Sequence, residues 1–74
     1  MNATQCRMAR AALGWTLDDL ARCSSVNRRS ILNFENGGTV QPASVEKMRA
    51  ALVAAGAEFI NGGKSVGVMV PRSD

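Results

Sequence analysis

Ahead of Pro42, helix stop and start signals follow one another so closely that every helix there must be short. Gly14 reads as a C-terminal glycine and Thr16 as the N-cap of the next helix. Ser24-Ser25-Val26 is a tight connection, Asn27 is a further N-cap, and Asn36-Gly37-Gly38 is a firm stop. Helices this short are unstable alone in water. A chain punctuated this way has to fold as several short helices, each burying one face in a shared core.

The spacing within each segment agrees. A first helix is predicted from Ala3 to Leu13, with Cys6, Ala9 and Leu13 on one face. A second runs from Leu17 to about Cys23 behind the capping box Thr16-Leu17-Asp18-Asp19, with Trp15 and Leu20 as a hydrophobic staple. A third spans Arg28 to Asn36, where Ile31 and Phe34 share a face. A fourth spans about Pro42 to Ala55. Its proline sits in the first turn, and Val45, Met48 and Leu52 form a stripe beside Ala51 and Ala55, with Gly56 as the stop. The tail changes period. Glu58-Phe59-Ile60 is apolar, Asn61-Gly62-Gly63 is a turn signal, and Ser65 to Val70 is β-branched up to Pro71. The expected fold is an all-α core of four helices with a short C-terminal β-hairpin or strand segment. Residues 1–57 form the helical domain and 58–74 the strand segment.

Composition narrows the function. Seventy-four residues allow one modest core. There is no histidine, and Cys6 and Cys23 lack the clustered spacing of a zinc site, so no metal is expected. Both cysteines read as buried small hydrophobes in a reducing cytoplasm rather than as a disulfide. Arg7 and Arg10 interrupt any apolar run near the start, which speaks against a signal peptide. No apolar stretch is long enough to span a membrane. Without such supports, a domain this small gains margin from a partner subunit. Histidine and tyrosine are both absent and the six carboxylates are scattered, so neither an enzyme, a cofactor nor a small-molecule ligand is expected. The net charge of +3 permits a polyanionic partner, and Arg22, Arg28 and Arg29 fall close together.

The centre of the chain is therefore two short helices joined by a tight turn, the second with a basic start. This is the pattern of a helix-turn-helix unit. Its second helix needs a polar, basic outer face for the major groove and an apolar inner face to fix its crossing angle. Leu20, Ala21, Val26, Ile31 and Phe34 supply the apolar side. The stretch from Arg10 to Gly37 resembles the lambda Cro/C1 repressor family, the XRE-type helix-turn-helix. It has an arginine late in the first helix, Leu13-Gly14-Trp15-Thr16, two acids with Leu20-Ala21, a valine turn, Ile31, and Phe34-Glu35-Asn36-Gly37. The likeness covers residues 5 to about 55.

The resemblance implies a role for each matching position. Arg10 and Glu35 are the family's partly buried ion pair. Thr16 caps the second helix near a DNA phosphate. Arg28, Arg29 and Asn33 face bases or backbone from the recognition helix, Arg29 being the stronger candidate for a base, and Asn27 and Ser30 support them. Asn36, Thr39 and Gln41 belong to a phosphate-contacting segment. Arginine is the usual bidentate partner of guanine. Leu32 is apolar where relatives are often polar or small, which suggests either a thymine methyl or packing against the following loop. Three features depart from the family pattern. Leu17 replaces a commonly polar residue, Ser25 stands where the turn usually has glycine, and Val40 and Ala43 leave the loop less basic.

Phe59, Ile60, Val66, Val68 and Val70 are too apolar to leave exposed. Two arrangements satisfy them: strand pairing between two copies across a two-fold axis, or a hairpin folded back on its own chain. The first gives a homodimer whose recognition helices lie one DNA turn apart. The function expected is a sequence-specific, double-stranded-DNA-binding transcriptional regulator. It would act in the cytoplasm, associated with the nucleoid when bound, as a repressor that occludes a near-palindromic operator. The alternative is an antitoxin-type module that binds a toxin partner and autoregulates its operon. RNA binding lacks an aromatic platform, because Trp15, Phe34 and Phe59 all read as core. Gly62-Gly63-Lys64 lacks the full spacing of a phosphate loop.

Overall fold

The computed structural model describes residues 1–71, so the last three residues of the expected strand segment lie outside the described residues. Four helices precede a two-stranded antiparallel sheet: α1 (Ala3–Ala12), α2 (Leu17–Ser24), α3 (Arg28–Glu35), α4 (Pro42–Ala54), β1 (Glu58–Gly62) and β2 (Ser65–Met69).

Local chemistry accounts for the boundaries. Asn2 and Gln5 form a capping box at the start of α1, as Thr16 and Asp19 do for α2. Asn27 caps α3 by accepting from the Ser30 N–H at 2.8 Å. Gln41 stands at the N-cap of α4 without a side-chain capping bond, and Pro42 follows it. Leu13, Asn36 and Ala55, expected as last helical residues, are C-caps instead. Their N–H groups close the final turn while the chain is already leaving it. Ser25, the C-cap of α2, adopts φ 62° and ψ 25°, the left-handed region that the missing glycine would have occupied freely. The Ser24 hydroxyl steadies this turn. It donates to the Leu20 carbonyl at 2.6 Å and accepts from the Val26 N–H at 3.2 Å.

One core joins all the elements. Cys6, Ala9, Leu20, Val26, Ile31, Met48, Leu52 and Ala57 are buried, and Leu13, Trp15, Phe34, Val45, Phe59, Val68 and Val70 pack against them. α4 lies mainly against α2, and α1 lies against both β2 and α3. Cys23, expected inside, is exposed: the inner face of α2 is carried by Leu20, Ala21 and Ser24 instead.

The strands pair with each other, Phe59 opposite Val68 and Ile60 opposite Gly67. Gly63 takes φ +46° at the first position of a two-residue loop, as a type II′ turn requires. An isolated hairpin would not persist, and here α1 holds it. The buried Gln5 amide nitrogen lies 3.2 Å from the Ile60 carbonyl, 3.3 Å from Asn61 Oδ1 and 3.4 Å from the Gly67 carbonyl. Phe59, Val68 and Val70 turn toward the chain's own core, whereas Ile60, Val66 and Met69 stay exposed. At the other end, Gly56 adopts φ +105° and Pro71 packs on it so closely that a Cβ would come within 2.5 Å of the ring. No helix among the described residues is long and apolar enough to cross a membrane.

Candidate nucleic-acid interface

The solvent face of α3 and the segments at its two ends form the candidate site. It is a surface rather than a cavity. Two features fix its orientation from behind. Ile31 is fully buried on the inner face, and Glu35, one turn later, is only 3% exposed. Glu35 is charged and buried, so it needs partners. Arg10 supplies them in a fork: Nε donates to Oε2 at 2.9 Å and Nη2 to Oε1 at 3.0 Å. A third nitrogen of the same guanidinium donates to the Trp15 carbonyl at 3.1 Å, so one side chain ties α1, the start of α2 and the end of α3 together. Glu35 raises the Arg10 pKa through these bonds. The buried Cys6 thiol lies 3.5 Å from Glu35 Oε2. Burial first, and then the neighbouring carboxylate, push this thiol up to about 12. Arg7, which sequence reasoning left without a role, donates to the Glu35 backbone carbonyl at the end of α3.

With the inner face fixed, Arg28, Arg29, Leu32, Asn33 and Asn36 are exposed on the other side. Among the described residues, Arg29 has no carboxylate partner, whereas Arg28 Nε sits 3.2 Å from Asp18 Oδ1 on α2. Asn27 and Ser30 are joined by the cap bond, and Ser30 is half-buried. Leu32 is 42% exposed. Asn33 has a structural partner: its Nδ2 donates to the Thr39 carbonyl at 3.1 Å and so holds the loop that follows α3. Thr39 and Gln41 are exposed on that loop. Thr16 is exposed, and its hydroxyl accepts from the Asp19 N–H at 3.1 Å.

The start of α2 carries two acids. The Asp19 carboxylate accepts the Thr16 N–H at 2.8 Å and Arg22 Nη2 at 3.1 Å. The Thr16 backbone N–H, foremost among its partners, holds its pKa below the usual carboxylate value. Sequence reasoning missed Asp18 as a member of this surface. The available signal was charge alone, and only the crossing of α2 and α3 brings residue 18 to residue 28.

No protein-family model matches the chain, and no curated protein is significantly similar to it in sequence.

Proposed function

We propose that this chain is a sequence-specific DNA-binding transcriptional regulator of the lambda Cro/C1 (XRE) type. It acts in the cytoplasm as a homodimer and represses by covering a near-palindromic operator. The observation that carries this reading is Arg29. Its side chain is exposed near the start of α3, has no carboxylate partner among the described residues, and stands on a helix whose opposite face is fixed by Ile31 and by the Arg10–Glu35 fork. A guanidinium carried on a fixed helix, with no carboxylate partner among the described residues, suits the O6 and N7 edge of guanine. The net charge of +3 favours approach to a polyanion.

Selection of binding sites from random duplex DNA tests this directly. The expected outcome is a preferred site with two half-sites about one helical turn apart. Arg29→Ala relaxes the preference at one base pair per half-site by about 1–3 kcal/mol. Binding that shows no preferred sequence and only a steep salt slope would refute the proposal.

A further inference from the structure

Resting on the DNA-binding reading, we infer that Asp18 is a specificity-determining residue, an internal competitor that occupies Arg28 until the correct site displaces it. Arg28 and Asp18 meet at 3.2 Å between the first turns of α3 and α2, at the edge of the surface that carries Arg29. Both are well exposed, at 60% and 78%. An exposed pair of this kind adds little to folding and exchanges easily for another partner. The pair instead neutralises Arg28. Among the described residues, Arg29 then presents the uncompensated charge at the start of α3. A negative charge at the α2 N-terminus also opposes the phosphate that a helix start would otherwise attract.

The consequence differs between DNA sequences. On unrelated DNA, affinity comes from phosphate neutralisation, and Asp18 takes one cation out of that sum. On the cognate site, Arg28 exchanges the exposed carboxylate for a fixed acceptor at little cost. Asp18 thus lowers non-specific affinity more than specific affinity, which widens the ratio between them.

The test measures binding of the full chain to a non-cognate duplex and to a selected site across a salt series, for the wild type, Asp18→Asn, Arg28→Ala and the double variant. Freeing Arg28 in Asp18→Asn is expected to steepen the non-cognate salt slope by about one. It also raises non-cognate affinity about three- to tenfold near 0.1 M salt, with a smaller gain on the selected site. The steeper slope vanishes in the double variant, where the affinity gain over Arg28→Ala shrinks to what loss of the Asp18 charge alone provides, and Asp18→Glu, which can restore the pair, keeps the wild-type slope. Thermal melting serves as the control for folding, since both side chains are exposed. A non-cognate slope and affinity identical in wild type and Asp18→Asn would overturn this inference and leave the DNA-binding reading standing. Failure of both proteins to bind any duplex at low salt would overturn both.

Discussion

Asn33 and Gly38 occupy the same small space at the end of α3. The Asn33 amide donates to the Thr39 carbonyl, and a Cβ built on Gly38 would lie 2.1 Å from Asn33 Oδ1. The loop after α3 closes over this side chain only because residue 38 has none. Gly38→Ala is therefore expected to lower stability by no more than about 1 kcal/mol, because it displaces the exposed amide and breaks its bond to Thr39 while restricting the unfolded chain. Asn33→Ala makes room for that methyl. The double variant should cost less than the two single changes added, and denaturant titrations of all four proteins would measure the coupling.

The Arg10–Glu35 fork makes a larger prediction. Either partner left alone is a charge with no equivalent replacement, and Glu35 is the more deeply buried of the two. Glu35→Ala or Arg10→Ala should each destabilise by on the order of 3–5 kcal/mol, enough to unfold much of a domain this size. Replacing both with apolar residues of similar volume should restore much of the loss. Equal destabilisation by single and double replacements, read from urea midpoints, would contradict this account.

Ser25 holds a left-handed conformation that suits glycine better. Ser25→Gly is expected to raise stability by roughly 0.5 kcal/mol, because relief of strain outweighs the added freedom of the unfolded chain. Ser25→Val should lower it by about 1–2 kcal/mol. Urea midpoints at constant m-value would check both.

Acid should weaken the start of α2. The folded-state pKa of Asp19 lies below its ordinary value of 3.8, chiefly because the Thr16 N–H stabilises the carboxylate. A depressed folded value means that this contribution is fully present above the unfolded value. It is lost as pH falls through the folded one. Melting temperature should therefore drop between pH 5 and 2, and less steeply in Asp19→Asn. Identical slopes in the two proteins would rule Asp19 out as a source.

The two cysteines should separate cleanly in a labelling experiment. Cys23 is exposed, while Cys6 is buried beside Glu35 with its thiol pushed up to about 12. At pH 8, iodoacetamide is expected to modify Cys23 in the folded protein. Cys6 should react only as fast as the domain opens. Mass spectrometry of peptides over time reads both, and rapid labelling of Cys6 in native buffer would count against this core.

Cap chemistry is local, so helix ends could be read from the chain within a residue. Thr16 with Asp19, Asn27 with Ser30, and Pro42 after Gln41 each act over three residues or fewer. Partners distant in sequence were less legible. Cys23 has the same apolar chemistry as Cys6 but falls on the outer side of α2. Asn33 is a polar residue on an outer helix face, and nothing in its neighbours announces that it holds the loop at Thr39. Gln5 gave no signal of burial, although its amide is what ties the hairpin to α1.

The order of amino acids by itself determined where helices begin and stop, the change to strands after Gly56, and a core built on Leu20, Ile31, Met48 and Leu52. Those features follow from backbone capping and from periodicity, which act between near neighbours. Tertiary packing decided which side of the hairpin faces inward, which arginine meets a carboxylate among the described residues and which does not, and where each buried polar group finds its partner. Such choices depend on how elements cross in space. Phe59, Val68 and Val70 point to the core because Gln5 and the β1–β2 register hold the sheet that way, and Arg28 meets Asp18 because α2 and α3 cross there.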